Sequence, residues 1–171
     1  TILDNAGIPT AKWQQVQQYE MADYDKVEKR LIAYLGFPMF VKPANAGSSV
    51  GVSKASDREG LKRALDIAFR EDSKVVVEVA INGIEVETAV LGNLDAEAAA
   101  VVGELVPAAE FYDYNAKYID GTTQLYIPAR LPEETTERLR TMAVKAYKAL
   151  GCRGLTRVDF FVLPDGGILL N

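Results

Sequence analysis

Histidine is absent from this chain of 171 residues. Its absence excludes Ser-His-Asp and Cys-His catalysis and the usual zinc sites. Any chemistry falls to carboxylates, Lys, Arg, Tyr, Ser or a hard metal ion. Cysteine occurs once, as Cys152. It has no partner for an internal disulfide, and its apolar context predicts a small buried core residue. The sequence shows neither a signal peptide nor a disulfide framework, which fits a reducing cytoplasm. No apolar run reaches the roughly 20 residues of a membrane span, so membrane insertion is not expected. Basic residues are outnumbered, 19 against 24 acidic, for a formal net charge of −5. A nucleic-acid partner is therefore not expected, because no basic stripe exists to release counterions. Internal repeats and low-complexity tracts are also missing.

What is present is the composition of a soluble globular protein, long enough for one domain or two small lobes. Ile2, Leu3 and Ala6 read as the end of a helix stopped by Gly7. Residues 10–16 suggest a strand. Val27, Leu31, Ala33 and Leu35 give 24–35 an amphipathic helical pattern closed by Gly36. Ser56-Asp57 open a second helix whose face is Leu61, Leu65 and Ala68. Lys74 to Val79 is a nearly continuous β-branched run, read as a buried strand. After an Asn82-Gly83 turn, 84–91 resumes as strand, and 98–105 predicts another. The stretch 107–123 has no period and many aromatic residues, the mark of a functional loop. Pro132-Glu133-Glu134 begin a helix with face Leu139, Met142, Ala143, Ala146, Tyr147 and Leu150, ended by Gly151. Strands over 154–163 and 168–170 flank an Asp165-Gly166 turn.

The segment 37–54, FPMFVKPANAGSSVGVSK, organises the rest. An apolar run ends in Lys42-Pro43, small residues follow, and a second strand-like run starts at Val50. Strand, glycine/serine turn and strand can present N–H groups and hydroxyls to an anion, with Lys42 as a point charge for phosphate. An ordinary hairpin turn has the same pattern. The P-loop is excluded, since no lysine follows the glycine and the next element reads as strand.

Alternation along TRVDFFVL puts Thr156, Val158, Phe160 and Val162 on one face and Arg157, Asp159, Phe161 and Leu163 on the other. Arg157 and Asp159 either pair with each other or hold an anionic group and a hard cation. Glu85 and Glu87 share a face that is either solvated or functional. Glu78 interrupts a run of valines. Lys117-Tyr118 is either a surface pair or part of a mobile lid.

Taken together, VKPANAGSSVGVSK, VVVEVAINGIEVETAVL, EFYDYNAKY and LGCRGLTRVDFFVLPDGG resemble the ATP-grasp family, and within it the D-alanine–D-alanine ligases. The resemblance covers nearly the whole chain and implies an α+β fold whose two lobes, with mainly antiparallel sheets, clamp ATP. The smaller lobe would be residues 1–79 and the larger 80–171. By matching position, Lys42 would contact ATP phosphate, and Ser48 and Ser49 would lie in the loop over the phosphates. Glu78, Val79, Ala80 and Ile81 would form the connection that holds adenine, with Glu78 accepting from its amino group. Glu85 would hold the ribose, Phe111 would pack on adenine and Lys117 would reach the phosphates. Tyr118 would orient Ser48, Arg157 would bind the D-alanyl carboxyl oxygen, and Asp159 would ligate Mg²⁺ or Mn²⁺. The tyrosine at 118 favours an amine acceptor over a hydroxy acid.

The implied reaction joins two D-alanines through a D-alanyl phosphate for peptidoglycan synthesis, in a homodimeric cytoplasmic parent. D-alanine–D-lactate or other dipeptide ligation, or nucleotide binding without catalysis, are the competing readings. The family places an N-terminal lobe before the residue matching Thr1, and a further Glu and Asn, both metal ligands, beyond Asn171. The resemblance therefore implies an excised central region, with a half-built metal site and no ligase activity when isolated.

Overall fold

A computed structural model describes residues 2–93, 95–106 and 124–171. The chain divides into two compact units, one of residues 11–80, the other of 2–10 with the described parts of 81–171.

In the unit of residues 11–80, strands β1 (Trp13–Gln17), β2 (Met39–Pro43), β3 (Ser53–Ala55) and β4 (Lys74–Val79) form an antiparallel sheet in the order β1-β4-β2-β3. Helix α2 (Tyr24–Leu35) follows a 3₁₀ segment (Gln18–Asp23), and α3 (Arg58–Glu71) links β3 to β4. The Asp23 carboxylate caps α2 at the Lys26 N–H, and Asp57 caps α3 at the Gly60 N–H, 2.7 Å away. Such caps satisfy N–H groups that a helix start leaves without partners. Leu61, Ala64, Leu65 and Ala68 recur at helical spacing on α3. They pack with Val27 and Leu31 of α2 against Val16, Met39, Val41, Val75 and Val77.

The sequence reading needs three corrections here. Ala33 is exposed, and Glu28 is buried in the α2 face instead, paired with Arg58 at 2.5 Å. The Tyr24 hydroxyl donates to Glu28 at 3.3 Å, and burial, followed by that carboxylate, pushes it up to about 12. β4 is buried on one face only, at Val75 and Val77. β3 begins at Ser53 rather than Val50, because two turns, Val50 N–H to Gly47 O and Val52 N–H to Ser49 O, precede it.

In the other unit α1 (Ile2–Asn5) is followed by β5 (Ile84–Gly92), β6 (Glu97–Ala98), β7 (Gly103–Val106), β8 (Gln124–Tyr126), α4 (Glu133–Ala149), β9 (Gly154–Val162) and β10 (Ile168–Leu170). The strand order is β10-β9-β5-β7-β8, with β6 also on β5. Val86, Val90, Val158, Phe160, Val162 and Ile168 meet Leu139, Ala143 and Tyr147 of α4 in one core. The Tyr147 hydroxyl donates to the Gly92 carbonyl at 2.5 Å, tying α4 to the end of β5. Gly83 has no room for a side chain, since a Cβ would lie 2.8 Å from the Val162 carbonyl oxygen.

Residues 2–10 group with this unit, whereas the sequence division at 79/80 puts them in the smaller lobe. Ile8 is buried, Thr10 bridges Leu170, and the Leu170 N–H donates to Pro9 O at 2.8 Å. The strand expected over 98–105 is broken into β6 and β7. Leu150 is exposed and Cys152 only half-buried, so neither is the core residue the sequence suggests. No helix among the described residues is long and apolar enough to cross a membrane.

Glu104 of β7 is buried on the α4 side of the sheet and takes Arg130 in a fork, Nη2 at 2.5 Å and Nε at 3.0 Å. It also accepts the Arg130 backbone N–H at 3.0 Å. The Arg130 hydrogen bonds hold its carboxyl below the ordinary value of 4.5. A carboxylate depressed in the folded state stabilises the fold above its unfolded pKa and loses that contribution as pH falls through the folded value. Urea unfolding should therefore show stability dropping as pH falls below 4.5, and Glu104→Gln should flatten part of that drop. An unchanged slope in the variant would mean the fork contributes nothing.

Candidate functional site

Both antiparallel sheets bury one face under helices, and among the described residues the charged side chains singled out by sequence stand on the other. In the unit of residues 11–80, Phe40 lies opposite Glu78 and Lys42 opposite Val76 across β2 and β4. Opposed residues share a face. Phe40, Lys42, Val76 and Glu78 therefore stand together, away from the buried Val41 and Val77. Trp13, opposite Glu78, and Lys54, opposite Phe40, extend this face. The sequence assigns Lys42 and Glu78 separate roles, whereas the fold brings them into contact, Nζ to Oε2 at 2.6 Å. Both are partly exposed, and such pairs contribute about 0–1 kcal/mol, so an arriving anion can take the lysine at little cost.

The glycine/serine loop leaves the end of β2. Ser48 and Ser49 both adopt left-handed backbone, φ 52° and 61°, and Gly51 follows at φ 70°. Non-glycine residues in that region cost about 1–3 kcal/mol each, and such strain concentrates at ligand-binding loops. At the far end of β4 the Val79 N–H donates to Lys12 O and the Ala80 N–H to Pro38 O, both at 3.0 Å. Those two N–H groups are thus committed to the segments that lead into the neighbouring strands β1 and β2. Ile81 belongs to the other unit.

In that unit Glu87 is paired with Asp159, Ala89 with Arg157 and Glu85 with Phe161 across β5 and β9. Glu85, Glu87, Arg157 and Asp159 thus share the face opposite Val86, Val158 and Phe160. Arg157 grips Asp159 with two hydrogen bonds, Nε to Oδ1 at 2.8 Å and Nη2 to Oδ2 at 2.9 Å. Its Nε also lies 3.2 Å from Glu87 Oε2. The pairing alternative left open by the sequence is the arrangement observed, and it leaves Arg157 62% exposed, placed to meet a ligand. The sequence gives no reason to prefer Glu87 over Glu85. Its importance comes from register, which opposes Gly92 to Gly154 at one end and thereby seats Glu87 beside Asp159.

Among the described residues no cluster of three or more acidic, His or Cys side chains could hold a metal ion. Glu87 and Asp159 do offer adjacent hard oxygens. A Mg²⁺ ion needs only one or two carboxylates when phosphates and waters complete its shell, so this donor set fits it in part. Phe111, Lys117 and Tyr118 lie outside the described residues.

A family model described as "D-ala D-ala ligase C-terminus" matches residues 2–171. The chain is 54% identical over 167 residues to a D-alanine--D-alanine ligase of Acetivibrio thermocellus, covering 97% of this chain and 44% of that protein. It is 49% identical over 171 residues to the D-alanine--D-alanine ligase of Geobacillus thermodenitrificans, covering 97% and 46%. The chain thus spans about half the length of the curated relatives it matches. Among solved structures, the VanG D-Ala:D-Ser ligase of Enterococcus faecalis matches with a TM-score of 0.85 and 37% identity, covering 99% of this chain and 48% of that one. The D-alanine-D-alanine ligase of Coxiella burnetii matches with a TM-score of 0.79 and 30% identity, covering 99% and 44%.

If Arg157 is there for a ligand rather than for the fold, its removal should barely touch stability. Exposed pairs of this kind are worth about 1 kcal/mol or less. Urea unfolding of Arg157→Ala should shift by no more than that; a loss of several kcal/mol would make the cluster a structural one.

Proposed function

Since the chain belongs to the D-ala D-ala ligase C-terminus family, we propose that it is the nucleotide-binding portion of an ATP-dependent D-alanine–D-alanine ligase. Its architecture is the α+β ATP-grasp fold expected from the sequence, with antiparallel sheets. The parent protein would make D-alanyl-D-alanine for peptidoglycan precursors, in the cytoplasm and as a homodimer. The observation that carries this reading is the Arg157–Asp159–Glu87 cluster on the sheet face opposite α4, a cation and two hard carboxylates within 3.2 Å of the guanidinium.

The chemistry suits a site without histidine. A carboxylate oxygen of the first D-alanine attacks the γ-phosphorus of ATP, the bond to the bridging oxygen breaks, and ADP leaves. The resulting D-alanyl phosphate has a carbonyl that the amine of the second D-alanine can attack. Phosphate departs with the bonding pair, and the amine loses its proton as the amide forms. Phosphoryl transfer of this type is mainly positioning and charge neutralisation. Lys42 would leave Glu78 for a phosphate oxygen, freeing that carboxylate to accept from the adenine amino group. Ser48 and Ser49 would line the phosphates, and Glu85 would hold the ribose. Arg157, with its plane already fixed by Asp159, would donate to the acyl oxygen as charge develops there. Asp159, with Glu87 beside it, would hold Mg²⁺ or Mn²⁺, which supplies charge neutralisation at the phosphates when bound. By resemblance, Phe111, Lys117 and Tyr118 would cover adenine, phosphate and Ser48.

A second reading differs only in the acceptor. The match to the VanG D-Ala:D-Ser ligase supports D-serine as an alternative to D-alanine. Phosphate release from Mg-ATP by a full-length ligase carrying these residues, measured with D-alanine alone and with D-serine or D-lactate added, separates these. D-alanine alone should suffice; dependence on D-serine or D-lactate would select the other acceptor, and nucleotide binding without release would make the protein a non-catalytic nucleotide binder.

In a full-length ligase carrying these residues, Arg157→Ala should lower kcat about a hundredfold, the ~3 kcal/mol typical of one oxyanion-stabilising donor. ATP affinity should change less than about threefold. Steady-state kinetics beside an ATP titration checks this, and equal losses in both would remove Arg157 from the acyl oxygen.

A further inference from the structure

The strained loop after β2 is fastened from outside its own sheet face. The Asp72 carboxylate, just past α3, accepts through Oδ2 from both the Asn45 backbone N–H and the Asn45 side-chain amide, each at 2.8 Å. Its other oxygen accepts the Lys74 N–H at 3.2 Å, and the Ala44 N–H donates to Lys74 O at 2.9 Å. The two residues that open the loop are thus tied to the corner between α3 and β4. The other end of the loop meets the same corner. A Cβ on Gly51 would lie 2.8 Å from Glu71 Cγ and 2.8 Å from Pro43 Cγ, so the chain passes there too closely for a side chain. Between these two moorings stand the left-handed Ser48 and Ser49. Backbone in that region persists only where its surroundings over-determine it.

We propose that Asp72 is a positioning residue for nucleotide phosphate: it touches no substrate but holds Asn45, and through it the Gly47–Ser49 turn, in the conformation that receives the anion. This rests on the reading of that loop as the phosphate binder. The carboxylate is held below its usual range, first by the Lys74 N–H and then, against some burial, by Asn45, as a group kept charged to serve these donors. The Asn45 amide and backbone together ask for both lone pairs of one oxygen. A carboxamide at 72 keeps a single acceptor oxygen for three donors.

The test uses the full-length protein with Asp72→Asn, Asn45→Ala and the double variant. Dissociation constants for Mg-ATP and for adenosine are read beside amide exchange over residues 45–52 without ligand. Asp72→Asn should weaken ATP about tenfold, the loss expected for one charge-assisted hydrogen bond, and adenosine less than twofold. Loop exchange should quicken while exchange in α2 stays as it was. Asn45→Ala should lose less, and the double variant should be no weaker than Asp72→Asn, since both act through one contact. Unchanged loop exchange, equal losses for ATP and adenosine, or fully additive losses would each overturn the proposal. A wild-type protein that does not bind Mg-ATP would overturn the nucleotide reading instead, and loop exchange in Asp72→Asn would still decide whether that carboxylate holds the loop.

Discussion

Among the described residues each sheet is covered by helices on one side only, and that constraint governs the placement of the charged side chains of the candidate site. A strand buried on one face must alternate apolar and polar positions. Val75 and Val77 go under α2 and α3, and Glu78 therefore points the other way. Val158 and Phe160 go under α4, and Arg157 and Asp159 are presented on the opposite side. A slip of one residue in either pairing would bury the charges and expose the valines. The core and the candidate site are thus fixed by the same register.

Opposite charges on these faces meet one another. Lys42 with Glu78, and Arg157 with Asp159 and Glu87, are pairs at hydrogen-bonding distance that keep partial access to water. Such pairs orient their members yet are worth about 1 kcal/mol or less. A phosphate or a cation can displace one partner without dismantling a sheet. The Glu104–Arg130 and Glu28–Arg58 pairs, in which the carboxylate is buried and the guanidinium exposed, lie on the helix-covered sides and tie segments together. Burial of the carboxylate, rather than the presence of an ion pair, separates the two kinds.

Much of this was legible in the sequence. Helix α2 stops at Gly36, α3 opens at the Asp57 cap, α4 opens with Pro132 and two acids, and alternation assigns Arg157 and Asp159 to one face. Less local features were not legible. The contact between Lys42 and Glu78 depends on strand order, which places β4 beside β2 although α3 separates them in sequence. Likewise Glu87 gains its partner through the β5–β9 register, set across some sixty residues of chain. Residues 2–10 join the larger unit through burial of Ile8 and a bridge of Thr10 to β10, for which no periodicity gives a signal. The Asp72–Asn45 contact joins two ordinary turn residues that only the folded corner brings together.

The proposal that nucleotide binds on the sheet faces opposite α2, α3 and α4 is tested most directly by amide hydrogen exchange with and without Mg-ATP. Protection is predicted in the 44–52 loop, at the end of β4 and along the β5–β9 strands, while α2, α3 and α4 exchange as before. Protection confined to the helices, or none anywhere at saturating nucleotide, would contradict it.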